Sequence, residues 1–145
     1  MNYRAGVLGA GVVLLGLLAG CNKAKAPWET VFPVSGALTF GGKAIAGAQV
    51  TLFPIDGKVP ESIRPTAVTE ADGRFHLRTF AEADGAPAGD YRVSVIWHPL
   101  VASEGGMVRA ANKLPPKYAT PDGSGLTVTV AEGGSTLPAI DIPAP

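Results

Sequence analysis

Side chains able to carry out chemistry are few in this chain, which has one cysteine, Cys21, and two histidines, His76 and His98. A catalytic centre or a transition-metal site needs several His, Cys, Asp or Glu side chains that converge on one point. His76 alternates with Phe75 and Leu77 and is therefore expected on an outer face, whereas His98 lies at the end of a different strand. Because no carboxylate stands at a matching spacing, the sequence predicts neither a metal site nor an enzyme.

Four aspartates stand directly before a glycine, which raises the question of calcium binding. Calcium loops place their acidic ligands at alternating positions, whereas each of these carboxylates stands alone. Asp-Gly pairs suit tight turns, because the central residues of such turns adopt positive φ. We therefore predict that the four aspartates form turns: Asp56, Asp72, Asp84 and Asp122.

The single cysteine ends the segment LLAGC (17–21), which resembles a bacterial lipobox. Arg4 precedes an uncharged apolar run over 6–18 that is too short for a membrane span and has the proportions of a signal peptide. The resemblance implies cleavage just before Cys21, which then carries diacylglycerol and acyl lipid. Membrane attachment is therefore predicted to be covalent, through the lipid at Cys21, and no other cofactor is expected.

This segment also suggests how the chain is divided. We predict a lipoprotein signal peptide over 1–20, a lipidated cysteine and flexible tether over 21–30, and one domain over 31–145. The residue after the cysteine is Asn22 rather than an aspartate, which favours export to the outer membrane, on its periplasmic or surface-facing side.

From residue 31 onward, apolar residues recur with the period of two that is typical of strands with one buried face. The inward-facing residues are predicted to be Val34, Leu38 and Phe40; Val50 and Leu52; Phe75 and Leu77; Tyr91, Val93, Val95 and Trp97; Leu126, Val128 and Val130; Ile140 and Ile142. About seven short strands separated by glycine turns are typical of an all-β fold, here a single antiparallel Ig-like β-sandwich.

Three segments resemble the carboxypeptidase regulatory-like family, whose domain is a transthyretin-like (prealbumin-like) sandwich: VSGALTFGGKAIAGAQVTL (34–52), TEADGRFHL (69–77) and PAGDYRVSV (87–95). A fourth segment, LPPKYATPDGSGLTVTV (114–130), is similar to the C-terminal half of small envelope lipoproteins of this class. The resemblance implies the fold of the domain. It implies no activity, because its motifs mark turns and core positions such as Gly73, Phe75 and Tyr91.

The connection over 98–125 is long for a compact sandwich, and such connections are often functional. It carries apolar residues together with Arg109, Lys113, Lys117 and Tyr118. One hypothesis is a binding loop for a protein or an acidic glycan. The other is a loop folded over the edge of the sandwich, with Leu114 and Tyr118 packed as a lid.

The 12 basic and 12 acidic residues balance, so nothing in the composition attracts nucleic acid. We predict a non-enzymatic, lipid-anchored protein of the cell envelope, whose sandwich is a structural or protein-interaction module with an envelope protein as partner. The alternative is a carbohydrate-binding module, which would need exposed aromatic rings. The candidate rings are Trp28, Phe53, Phe80 and Trp97, and Trp97 is expected to face the core.

Overall fold

The computed structural model describes residues 23–145, so the predicted signal peptide and Cys21 lie outside the described residues. The strands are β1 (Val31–Phe32), β2 (Val34–Phe40), β3 (Lys43–Ala44), β4 (Ala48–Pro54), β5 (Thr66–Val68), β6 (Arg74–His76), β7 (Ala86–Pro87), β8 (Gly89–Trp97), β9 (Leu100–Ser103), β10 (Gly106–Arg109), β11 (Thr127–Val130), β12 (Ser135–Thr136) and β13 (Ile140–Ile142). Helical structure is limited to the 3₁₀ turns Pro27–Glu29 and Pro116–Ala119 and to the short helix α1 (Pro121–Ser124). No helix of this described part is long and apolar enough to cross a membrane.

The strands form an all-β sandwich, which confirms the predicted fold class. One sheet has four antiparallel strands in the order β11-β8-β4-β5. The long strands β4 and β8 pair along their whole shared length, from Ala48 opposite Trp97 to Pro54 opposite Tyr91. The short strands β1 and β7 pair with each other, and β9 and β10 form a separate two-stranded hairpin.

The second sheet is built around β2 and is mixed rather than antiparallel throughout. Strands β3 and β6 pair with β2 in the antiparallel sense, whereas β12 and β13 run parallel to it. Alternation in the sequence predicted the buried residues of β13, Ile140 and Ile142, and both are buried. Alternation does not predict the pairing direction, because either direction buries the same face of the strand.

Side chains from both sheets meet in one core, whose fully buried members include Leu38, Val50, Leu52, Phe75, Leu77, Tyr91, Val93, Val95 and Ile142. Burying each large apolar side chain contributes about 1.5–3 kcal/mol to folding. Gly36 lies in the middle of β2, where a Cβ atom would collide with the ring of Phe75. The core is therefore packed closely enough to require glycine at this position.

Tyr91 has the structural role predicted for it. Its ring is completely buried, and its hydroxyl donates a hydrogen bond of 2.7 Å to the carbonyl oxygen of Pro87. Burial, with a smaller contribution from the charge of Asp56, raises the pKa of Tyr91 well above its usual value. The hydroxyl is therefore a neutral hydrogen-bond donor at physiological pH.

The described part also includes the end of the segment predicted as a tether. Residues Pro27–Glu29 form a 3₁₀ turn, and Trp28 is partly buried against the core. The chain therefore already contacts the sandwich at Trp28, ahead of β1.

Candidate functional site

The hairpin β9–β10 stands out because every one of its strand residues is exposed. Four of them are large and apolar: Leu100 is 60%, Val101 40%, Met107 62% and Val108 46% exposed. In the observed register Val101 lies opposite Val108, and Met107 lies opposite Ala102. Because directly opposed side chains share a face, both faces of this hairpin present apolar side chains to solvent. We call β9–β10 the apolar hairpin.

The base of the apolar hairpin is fixed to the end of β8 by hydrogen bonds. Asn112 Oδ1 accepts from the backbone N–H groups of Trp97 (2.9 Å) and Leu114 (3.2 Å). The N–H of Ala110 donates to the carbonyl of Pro99 at 2.8 Å. His98 Nδ1 lies 2.9 Å from the carbonyl oxygen of Ala110, and since a carbonyl only accepts, this nitrogen donates. The hairpin is thus held firmly where it joins the sandwich.

Beside the hairpin lies a groove of about 740 Å³, which we call the end groove. Its apolar lining includes Phe40, Ile45, Val68, Ile96, Trp97 and Leu100, and its polar lining includes Lys43, Gln49, His98 and Arg109. A volume of this size is typical of a binding site. The end groove and the apolar hairpin share Leu100 and Arg109, so they form one continuous surface.

Trp97 departs from its predicted position in the core. The ring is only partly buried and lines the end groove. Its Nε1–H donates to the carbonyl of Ala46 at 2.9 Å, and it meets Phe40 edge-on, with the ring centroids 6.1 Å apart. The strand alternation points this side chain inward, but β8 ends here at the edge of the sandwich, where an inward-facing ring is covered on one side only.

Two cationic side chains belong to the lining of the end groove. Lys43 and Arg109 are exposed, and no Asp or Glu belongs to the lining of this groove. The ion pairs within 23–145 are Lys58–Asp56, Arg74–Asp72 and Arg92–Asp122. Lys43 and Arg109 belong to none of these pairs, so the end groove carries net positive charge.

The residues predicted for a binding loop are placed differently from one another. Arg109 lines the end groove, whereas Lys113 and Lys117 are exposed outside its lining. Tyr118 is only 6% exposed and belongs to the core, with Lys117 Nζ 4.9 Å from the centre of its ring. Tyr118 therefore leaves the candidate surface, because its ring is covered by the sandwich.

The connection over 98–125 accordingly divides into two parts. Its second part packs on the sandwich through Leu114 and Tyr118, as in the lid hypothesis. Its first part is the apolar hairpin, which projects into solvent. Sequence analysis missed the hairpin and the contribution of Lys43; the signal for the hairpin was the apolar run 100–102, the glycine pair 105–106, and the apolar pair 107–108.

Three of the four aspartates that precede a glycine lie in connections between strands, whereas Asp122 lies in α1. Asp84 accepts hydrogen bonds from the N–H groups of Thr79, Phe80 and Ala81. Burial alone would raise the pKa of Asp84, but these bonds outweigh burial and lower the pKa.

Asp56 behaves like Asp84. Burial raises its pKa, and hydrogen bonds from the backbone of Lys58 and Asp90, with the charge of Lys58, lower it overall. The fourth aspartate, Asp122, accepts instead from the guanidinium of Arg92 at 2.7 Å. The carboxylates of Asp56 and Asp84 thus bind backbone groups of their own chain.

Within the described residues, no group of three or more His, Cys, Asp or Glu side chains could hold a metal ion. His76 is exposed, next to the exposed residues Arg74 and Arg78. His98 lies on a different strand end and donates to a backbone carbonyl, as described above. The two histidines therefore do not form a common site.

The chain enters the sandwich at the end opposite to the groove. Pro27 and Trp28 line a second depression, together with Lys58, Gly89 and Asp90. Gly89 begins β8 and Trp97 ends it, and nine residues of strand at about 3.3 Å each separate the two ends by roughly 26 Å. We call the side near Trp28 the Trp28 end.

No protein-family model matches the chain, and no curated protein matches it significantly. Among solved structures, a 9R-lipoxygenase from Cyanothece is similar at 15% identity and a TM-score of 0.42, covering 79% of this chain and 17% of the lipoxygenase. The major pilin subunit of Bacillus cereus is similar at 18% identity and a TM-score of 0.47, covering 78% of this chain and 30% of the pilin. A protein from Pseudomonas aeruginosa, suggested to bind carbohydrate, is similar at 17% identity and a TM-score of 0.39, covering 81% of this chain and 92% of that protein.

The chain thus spans less than a third of the length of the lipoxygenase and of the pilin. None of these likenesses bears on what this chain binds, and membership of the carboxypeptidase regulatory-like family stays a prediction.

Proposed function

We propose that this chain is a non-enzymatic, lipid-anchored protein of the cell envelope, and that its β-sandwich binds another envelope protein. The observation that carries the proposal is the apolar hairpin, in which Leu100, Val101, Met107 and Val108 are all exposed. Contiguous apolar surface on a soluble domain is typical of an interaction site.

The shape of the hairpin supports the same conclusion. An isolated pair of strands is only marginally stable in water, because it has no layer against which to bury a face. The apolar hairpin is fixed at its base by Asn112 but is uncovered along both strands. A partner that covers one face would supply the missing layer and remove apolar area from water.

The anchor is proposed from the lipobox LLAGC (17–21), with lipid on Cys21 and sorting to the outer membrane. The chain between Cys21 and Pro27 reaches at most about 20 Å when fully extended. The Trp28 end of the sandwich would therefore stay close to the bilayer, and the apolar hairpin, at the other end of β8, would point away from it. This arrangement exposes the hairpin to proteins rather than to the membrane of its own anchor.

We also assign the sandwich to the transthyretin-like, carboxypeptidase regulatory-like family, on the motifs at 34–52, 69–77 and 87–95. A second candidate function, carbohydrate binding, is favoured by the aromatic pair Phe40–Trp97 in the end groove, since sugars pack on exposed aromatic rings. The Trp97 ring is partly covered, however, and four of the seven exposed large apolar side chains within 23–145 lie on the hairpin, which has no aromatic residue.

The proposal is tested by chemical cross-linking in the native envelope with two matched double variants. Leu100→Ser with Met107→Ser removes apolar side chains from the hairpin. Ile55→Ser with Phe80→Ser removes side chains that are similarly exposed, at 44% and 54%, but lie elsewhere on the sandwich. We expect the hairpin variant to lose the cross-linked partner and the control variant to keep it, with unchanged thermal midpoints for both.

Two further measurements separate the parts of the proposal. Cys21→Ser is expected to move the protein from the detergent-extracted membrane fraction to the soluble fraction. Binding of the protein to envelope polysaccharides can be measured on a panel of these glycans. If Trp97→Ala abolishes this binding and the hairpin variant keeps its cross-linked protein partner, carbohydrate binding is favoured instead.

A further inference from the structure

We propose that the end groove recognises a segment of the partner in which a carboxylate stands next to a large apolar side chain. This inference rests on the proposed function, and it adds the chemical class of what is bound. The apolar hairpin supplies contact area, and the end groove beside it supplies selectivity.

An apolar side chain of the partner would be bound by the apolar residues that line the end groove, which is partly open to solvent. Trp97 is held by its bond to the carbonyl of Ala46 and by its edge-on contact with Phe40. Val68 and Leu100, each 60% exposed, line the same groove. Since the rings are already fixed, little ordering is needed when an apolar side chain enters, which favours affinity.

The charged half comes from Lys43 and Arg109. Both line the end groove, neither belongs to an ion pair within 23–145, and no Asp or Glu lies in the groove lining. A guanidinium can bind a carboxylate through two parallel hydrogen bonds. Charge complementarity therefore calls for an acidic group on the partner.

The distance between the cation and the apolar side chain follows from the register of the hairpin. Arg109 lies directly opposite Leu100, and opposed side chains share a face at Cβ distances of about 5 Å. A cation thus stands immediately beside an exposed apolar side chain. A partner that satisfies both must carry its carboxylate and its apolar side chain within a few residues of each other.

Other occupants fit less well. A bilayer is disfavoured because Glu104 lies at the tip of the apolar hairpin, where it would have to enter the apolar phase. A neutral sugar would leave Lys43 and Arg109 without a counter-charge. The observations therefore favour an acidic, apolar segment of a protein.

The test uses the full lipidated chain in detergent, immobilised and presented with a display library of random linear peptides. We expect the selected peptides to carry Asp or Glu within three positions of Phe, Trp, Leu, Ile or Met. The consensus peptide is then synthesised and titrated. Its affinity should fall about tenfold or more in Lys43→Glu with Arg109→Glu, and it should fall with rising salt, because screening weakens exposed charge pairs.

The matched control is Lys25→Glu with Lys58→Glu, which makes the same change in net charge on exposed residues near Trp28, at the other end of β8. It should leave the affinity within about twofold, because the length of β8, roughly 26 Å, exceeds a Debye length. Selection without acidic enrichment, no selection at all, or equal weakening by both double variants overturns the inference. The proposed function fails separately, when the variant Leu100→Ser with Met107→Ser still captures its envelope partner.

Discussion

At the scale of single residues, the fold depends on polar side chains that bind backbone groups next to the core. Tyr91 and Asp84 are the clearest cases, because Tyr91 donates to the carbonyl of Pro87 and Asp84 accepts from three backbone N–H groups. Unpaired polar groups cost free energy when they are buried, so these side chains stabilise the ends of the strands as well as their own turns.

Tyr91→Phe tests the buried hydroxyl. The substitution keeps the ring but leaves the carbonyl of Pro87 without its donor, and we expect a loss of about 1–2 kcal/mol in the free energy of unfolding. Tyr118→Phe is the control, because no hydrogen bond of the Tyr118 hydroxyl is found within 23–145, and it should cost less. Denaturant titration measures both, and an equal cost would contradict the role given to Tyr91.

Asp84→Asn tests the carboxylate that accepts three backbone N–H groups. Because the folded-state pKa of Asp84 lies below its usual 3.8, the charged carboxylate stabilises the fold above that pH, and this contribution is lost as the pH falls. The difference in thermal midpoint between wild type and variant should therefore be largest at neutral pH and narrow below pH 3.8. The control is Asp72→Asn. The Asp72 carboxylate accepts from one backbone N–H group, that of Arg74, and is 61% exposed, so we expect a smaller change in thermal midpoint. A constant difference across the pH range would contradict the assignment.

At the scale of elements, the Asn112 side chain bridges the end of β8 and the segment after the apolar hairpin. Asn112 Oδ1 accepts from the N–H of Trp97, at the end of β8, and from the N–H of Leu114, after the hairpin. The hairpin can therefore keep its orientation without packing either of its faces on the sandwich.

Asn112→Ala should loosen this attachment. Loss of the two bonds is expected to raise the hydrogen-exchange rates of the Trp97 and Leu114 amides about tenfold, which corresponds to ~1.4 kcal/mol of local stability. Lys113→Ala is the control, because it truncates the exposed neighbouring side chain and keeps the backbone bond from the Lys113 N–H to the carbonyl of Trp97. Unchanged exchange in Asn112→Ala, or an equal rise in both variants, would show that the hairpin is held in another way.

The elements also show how far the sequence predicts this structure. Strict alternation with β-branched residues predicted β2, β4, β8 and β11, because one face of each packs on a shared core. The hairpin β9–β10 escaped prediction because neither of its faces is buried, so its sequence lacks the usual contrast between an apolar and a polar face. The end groove could not be derived either, since it joins Lys43 and Arg109, which only the tertiary fold brings together.

At the scale of the whole molecule, the two ends of the sandwich differ in character. The Trp28 end carries Trp28 and Lys58, and the other end carries the apolar hairpin and the end groove. A protein that is tethered at one end raises the local concentration of weak contacts made at the other. The proposed anchor and the proposed binding surface are therefore compatible in geometry.

This orientation can be measured with single cysteines, because lipidation would occupy the thiol of Cys21, the only cysteine in the chain. A fluorophore attached in Lys58→Cys should be quenched by nitroxide lipids when the lipidated protein is reconstituted in vesicles. The same fluorophore in Gly105→Cys, at the hairpin tip, should be quenched much less, since β8 alone spans roughly 26 Å. Equal quenching, or stronger quenching at the tip, would place the hairpin at the bilayer.

The most direct test of the central claim is site-specific photo-cross-linking in living cells, with a photoreactive residue in place of Met107 on the hairpin or of Phe80 away from it. We predict one discrete protein adduct from position 107 and none from position 80, although the two side chains are similarly exposed. The absence of an adduct at 107, or the same adducts from both positions, would contradict the claim that this sandwich binds an envelope protein through its apolar hairpin.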